Sequence, residues 1–186
     1  MTIYIILAIV GVIILWGVVV YNGFVSLKNR CQEAWSDIDV QLKRRYDLIP
    51  NLVKTVRAYV KHEKGVFIEV TRARTEAISA SGAPNQAMAE NMLSSALKSL
   101  FAVAENYPQL RASENFRALQ DELSDTENKI SAARRFYNGQ VRDFNTKLQV
   151  FPNSMIAGWV KFSQFELFQV SSGEKEKAAQ APEVEL

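Results

Sequence analysis

AWSDIDVQLKRRYDLIPNLVKTV, residues 34–56, places Trp35, Ile38, Leu42, Ile49, Leu52 and Val56 three or four positions apart. That spacing puts them on one face of an α-helix, because side chains three and four apart stack above one another. Cys31 before the stretch and Tyr59 after it continue the same stripe. Two residues interrupt the pattern. Arg45 falls on the apolar face, and Pro50 sits inside the helix, where it leaves the carbonyl of Tyr46 without its helical donor.

Upstream the chain changes character. No charged side chain precedes Lys28, and residues 3–20 are almost entirely Ile, Val, Leu, Ala, Gly and aromatics. About 20 such residues make a helix of roughly 30 Å, the thickness of a bilayer's hydrocarbon core. Tyr4 at one edge, with Trp16 and Tyr21 toward the other, fits an aromatic belt at headgroup level. A cleaved secretory signal fits poorly, since there is no basic leader and no small-residue cleavage pattern follows. Residues 1–22 are therefore read as a membrane anchor that contacts lipid through residues 2–21. Lys28 and Arg30 follow the span closely, which favours a cytoplasmic body at the bacterial inner membrane, with the periplasmic side as the alternative.

All 22 basic and all 20 acidic residues lie outside the apolar run. Their signs are interleaved, so no basic stripe exists for nucleic acid. The single cysteine, Cys31, excludes an intramolecular disulfide and a cysteine-based zinc site. Downstream only helical periods recur. Val66, Val70, Ala73 and Ala77 mark a helix over 66–81, broken at 81–84 by SGAP. Met88, Met92, Ala96, Leu100 and Val103 mark one over 85–106, closed by Asn106-Tyr107-Pro108. Phe116, Leu119, Leu123, Ile130, Ala133, Tyr137, Val141, Phe144 and Leu148 mark a long helix over 111–150. With the first body helix over 23–61, the expected fold is all-α. It is an antiparallel up-and-down four-helix bundle of two long and two short helices behind the transmembrane helix. The body spans 23–170, and the polar tail 171–186 is expected to be disordered.

Equal rise per residue sets a register between the two long helices. Pairing Lys61 with Ala112 puts Arg45 level with Asn128. A polar layer follows from Arg44, Arg45 and Asp47 on one side and Thr126, Glu127 and Asn128 on the other, with Glu127 pairing an arginine. A buried arginine needs such a partner. The plainer alternative is that both arginines snorkel to solvent. Pro50 reads first as a kink; the functional alternative has the freed Tyr46 carbonyl, Asp47 and Asn51 receiving a partner. The segment 151–168 is rich in Met155, Ile156, Trp159, Phe162, Phe165 and Phe168. Its plain role is to cover the membrane-proximal end of the body. The alternative is an assembly or membrane-interface surface made by Met155, Trp159, Phe162, Phe165 and Phe168.

Catalytic patterns fail one by one. His62 is followed by Glu63, but Val66 stands where the zinc motif needs a second histidine, and His62 reads as a cap near a helix end. Asp37 and Asp39, two apart on a helix, point in different directions. The eight glycines form no phosphate loop. Cys31 on an apolar face reads as an inert core residue. No catalytic, cofactor-binding or metal-binding residue is assigned, and no small-molecule substrate is identified.

The stretches YNGFVSLKNRCQEAWSDIDVQLKRRYDLIPNLVKTV from Tyr21, TRAR from Thr71, AENYPQLRASENFRALQDELSDTENKISAARRFYN from Ala104 and VRDFNTKLQVFPNSMIAG from Val141 resemble, in order, the LemA family of bacterial membrane proteins. The resemblance implies a helical bundle behind one N-terminal membrane helix, and no agreed biochemical activity. The expectation is a non-catalytic scaffold or adaptor acting on its own oligomers or on other membrane proteins. Two alternatives stay open. One is a ligand-binding or hydrolytic domain built on Arg45, Asp47 and Glu127; the other is a membrane-shaping protein using the anchor and 151–168.

Overall fold

The computed structural model describes residues 1–60 and 63–169. Lys61, His62 and the tail 171–186 lie outside the described residues, and with them the helix-end cap, the Lys61–Ala112 pairing and the expectation of disorder. Among the described residues there are six helices and no strand: α1 (Thr2–Tyr59), α2 (Lys64–Ser79), α3 (Ala83–Glu105), α4 (Pro108–Arg111), α5 (Glu114–Gln149) and α6 (Asn153–Val160). They divide into two units. Among the described residues, one comprises 1–37 and 135–165, the other 38–134 and 166–169. The long helices α1 and α5 contribute to both.

In the first unit, α1 carries the apolar run, long and apolar enough to cross a membrane and almost wholly unburied. From its last residue onward, Val20, Phe24, Cys31 and Ala34 turn inward, as do Tyr137, Val141, Phe144 and Leu148 of α5. Aromatic rings knit this core. Phe24 and Phe144 meet edge to face at 6.2 Å, and Trp35 meets Tyr137 at 5.3 Å. Such pairs add about 0.5–1.5 kcal/mol beyond their buried area. Cys31 is fully buried, and burial, then the charge of Asp143, pushes its thiol above the usual value. That is the environment of an inert thiol.

In the second unit the core runs through Ile49, Leu52 and Val56 of α1, Phe67, Val70, Ala73 and Ala77 of α2, Leu93, Ala96, Leu97 and Leu100 of α3, Leu110 of α4, and Phe116 and Leu123 of α5. Three elements differ from the sequence reading. The break at SGAP is present, but Pro84 lies past it, in the first turn of α3, where its missing N–H is no loss. The turn before it rests on Gly82 at φ 82°, the left-handed region that glycine enters without strain. The helix expected over 111–150 is α5, which begins only at Glu114, because Pro108 starts a separate short helix, α4, whose Leu110 is fully buried.

The third difference is the inward face of α3. Met88 and Met92 are 47% and 49% exposed, while Gln86, Ala87, Ala89, Glu90 and Leu93 are buried. The two methionines thus lie on the outer face. Small alanines let α3 approach its neighbours closely, and that decides which face goes in. Tyr59 is likewise 41% exposed, and Val60 takes the inward place.

Candidate functional site

Arg45 follows Leu42 by three residues and precedes Ile49 by four, so the helix period carries it inward with them. Only 4% of it is exposed. On α3 the same logic carries in Gln86 and Glu90, in line with Leu93 and Leu97. Glu90 is 2% exposed. The two charges meet, with Arg45 Nη1 at 3.1 Å from Glu90 Oε2. Glu127 of α5, half exposed, brings Oε2 to 2.9 Å from the same nitrogen. Arg45 Nη2 donates to Ser94 Oγ at 2.8 Å.

The carboxylate of Glu90 is held from its other side as well. The Tyr46 hydroxyl donates to Oε1. Gln86 Nε2 donates to the same oxygen at 3.2 Å, to Tyr46 Oη at 2.9 Å and to the Ala77 carbonyl at 3.0 Å. Burial holds the Glu90 carboxyl above its ordinary value of 4.5, against the opposing pull of Tyr46, Arg45 and Gln86. Burial, then the hydrogen bond to Glu90, raises the Tyr46 phenol in turn. A charge pair this deep is retained only where its remaining donors and acceptors are satisfied. Here the guanidinium has three partners on two helices and the carboxylate has three donors.

The six residues of the expected polar layer, and Pro50 and Asn51 beside them, separate. Arg45 is inside, with Glu127 reaching it from the edge. Thr126 is fully buried but turns its hydroxyl to the Glu122 carbonyl of its own helix at 2.7 Å. Arg44 lies outward, 2.9 Å from Glu122 and 3.9 Å from Asp125, with 43% of its side chain exposed. A pair so wet contributes less than about 1 kcal/mol. Asp47, Pro50, Asn51 and Asn128 are exposed. The Tyr46 carbonyl that Pro50 frees does receive a partner, but an internal one: Arg74 Nε of α2 donates to it at 2.8 Å. Glu90, Gln86, Ser94 and Arg74 had no place in the sequence reading, and Tyr46 entered it only through its backbone carbonyl. The available signal was the spacing Gln86, Glu90, Ser94 running into Leu97, a polar line entering an apolar one.

A cleft of about 490 Å³ opens beside this centre, bordered by Arg45, Asn91, Ser94, Lys98, Glu127 and Asn128. Asp47 is not part of it. Among the described residues no group of three or more His, Cys, Asp or Glu side chains is placed to hold a metal ion.

The aromatic segment also separates. In the first unit Phe162 packs 5.2 Å from Phe24, and Phe165 packs 5.2 Å from Phe144. Asn145 clamps the backbone there, donating to the Phe165 carbonyl at 2.9 Å and accepting from its N–H at 3.0 Å. In the second unit Phe168 is 1% exposed, under the Arg134 guanidinium at 4.5 Å. These three phenylalanines are therefore packed in whole or part and do not form an open surface. Met155 and Trp159 do, at 66% and 87% exposure.

A profile described as the LemA family matches residues 34–186. The chain is also similar to proteins named Magnetosome protein MamQ 2, of Paramagnetospirillum magneticum, and Magnetosome protein MamQ, of Magnetospirillum gryphiswaldense. The identities are 25% over 175 residues and 24% over 174, covering 80% of this chain in each case. This chain spans 64% of the length of those two relatives. A third relative, Protein LemA of Metamycoplasma hominis, is 25% identical over 155 residues, covering 83% of this chain and 71% of the relative. None of these names denotes an enzyme.

Proposed function

This chain belongs to the LemA family, and from that premise we propose that it is a single-pass membrane protein whose helical bundle works as a non-catalytic scaffold or adaptor. The observation that carries the reading is the engagement of Arg45 by the fold itself. Its charge is met by Glu90 and Glu127, and its second nitrogen by Ser94. A guanidinium so engaged stabilises the fold and has little left for a substrate.

Binding then falls to the exposed surface. Met88 and Met92 stand one helical turn apart on α3, facing a shallow groove of about 410 Å³ bordered on α2 by Glu69, Arg72 and Glu76. Methionines on an open groove adapt to varied partners, because the thioether chain is flexible and polarizable. A membrane-anchored partner, or a second copy of the bundle, docks there. Lys28 and Arg30, just past the span, support a cytoplasmic position for the bundle.

Photocrosslinking in cells from position 92 tests this. Adducts to one membrane protein or to a second copy support it. A folded, membrane-located protein that gives no protein adduct from positions 88 and 92 overturns it.

One observation favours a second reading, a ligand-binding domain: the cleft of about 490 Å³ reaches Arg45 and Glu127. A small molecule retained by the purified protein in native mass spectrometry, and lost on Lys98→Ala, would support it.

A further inference from the structure

We propose that α6 is a second membrane contact of this chain, with Phe151, Met155 and Trp159 set into the headgroup region of the leaflet where the apolar run of α1 ends. The proposal rests on the reading of residues 3–20 as the span. Everything it uses lies in the unit made by 1–37 and 135–165.

The sequence of α6, NSMIAGWV, has no charged side chain. Its inward residue is Ala157, 4% exposed. Its outward residues are large and apolar: Met155 is 66% and Trp159 87% exposed, four apart and so on one face. Phe151, in the turn just before α6, is 76% exposed. In water this would be a costly cluster on so short a helix.

Its depth is fixed by what it touches. Ile156 Cδ1 lies 3.9 Å from the place a Cβ on Gly17 would occupy, so α6 packs on α1 where glycine leaves room. Just past it, the Phe162 ring lies 6.1 Å from Tyr21. Gly17 is three residues short of the end of the apolar run, about 5 Å inside its edge at 1.5 Å per residue. An apolar face held at that level meets lipid headgroups and upper acyl chains. Tryptophan favours that zone, and interfacial helices settle there.

The ends agree. Lys161 closes α6 in the left-handed conformation at φ 59°, with the Phe162 N–H donating to the Ala157 carbonyl at 3.0 Å. The helix thus stops at an exposed cation, suited to anionic headgroups. A second copy is the weaker occupant. The three side chains offer on the order of 500 Å², below the roughly 800 Å² that each partner of a stable pair buries.

The test uses the full chain in vesicles of phosphatidylcholine and phosphatidylglycerol, with Trp159 left as the one tryptophan by Trp16→Phe and Trp35→Phe. Quenching is read from lipids brominated high or low on the acyl chain and from aqueous iodide. The proposal expects roughly half of the emission or more to be lost to the shallow bromines, less to the deep ones and little to iodide. Quenching by iodide with none by bromine overturns it. So does shielding from both that disappears when excess lipid dilutes the protein, which assigns the face to a second copy.

A companion protein keeps only Trp16. If Trp16 is quenched by bromine and Trp159 is not, the anchor stands and the α6 proposal fails. If neither is quenched, the span itself is wrong. Should Trp35→Phe unfold the protein, a diazirine residue at position 159 of the otherwise unaltered chain decides the same question. Lipid adducts support the proposal, and peptide or water adducts alone overturn it.

Discussion

The same helix, α1, is buried in two different ways. Around Phe24 it is held by rings, with Phe144 and Phe162 packed against it at 5–6 Å; around Arg45 it is held by directed bonds to Glu90, Glu127 and Ser94. Aromatic packing contributes area and tolerates small rotations. A guanidinium between two carboxylates accepts one helical phase, because a turn of one residue would bury it unpaired. The polar centre therefore fixes which residues of α1 face α3, and the aromatic centre contributes burial without that selectivity.

The contrast is broken most sharply by Glu90→Ala. It leaves Arg45 buried with the half-exposed Glu127 as its charge partner, and should cost about 3–5 kcal/mol. Denaturant unfolding of the detergent-solubilised protein measures it. A cost under about 1 kcal/mol would mean that the centre is wetter than its 4% and 2% exposures imply. Phe144→Ala should cost about 3 kcal/mol, the loss expected for a buried ring replaced by a cavity. Unlike Glu90→Ala, it should leave the phase of α1 against α3 unchanged, as read by disulfide trapping of cysteines placed on the two helices.

A pH series sharpens the comparison further. Glu90 titrates higher in the folded state than in the unfolded chain, because burial disfavours its charge. The folded protein then binds the extra proton, so this group favours folding most at pH below 4.5 and loses that contribution as pH rises from there through the raised value. Thermal midpoints of the parent minus those of Glu90→Gln should fall across that window. A difference that is flat, or that rises with pH, contradicts the assignment.

The smallest effect belongs to Pro50→Ala. The new N–H could reach the Tyr46 carbonyl, but Arg74 already donates there. Proline also restricts the unfolded chain. Stability should stay level or rise by up to about 1 kcal/mol, and a clear fall would show that the Arg74 bond depends on the proline.

How much of this the sequence carried depends on side-chain size. Phe116, Leu123, Ile130, Tyr137, Val141, Phe144 and Leu148 stand out as one stripe, and all are buried. The equal rise of two long helices was enough to bring Arg45 and Glu127 to one level. On α3 the signal reversed: Met88 and Met92 look like core by hydropathy, while Ala87, Ala89 and Glu90 do not. Close approach through alanines is a property of the neighbouring helices, and a single helix's period does not encode it. Glu90 was invisible for the same reason, since its inward position is stabilised by Arg45, Tyr46 and Gln86, which only the packed helices bring together. The two halves of the 151–168 segment were equally inseparable by composition. Phe162 and Phe165 found rings to pack on, and Met155 and Trp159 did not.

The central claim is that the Arg45 centre holds the fold while the open α2–α3 groove does the binding. Neutralising the centre with Arg45→Met together with Glu90→Gln, and then photocrosslinking from position 92 in cells, tests it most directly. The account predicts a folded protein with the same crosslinked partner as the parent chain. A folded protein that has lost that partner would contradict it, and would make the buried centre itself the functional site.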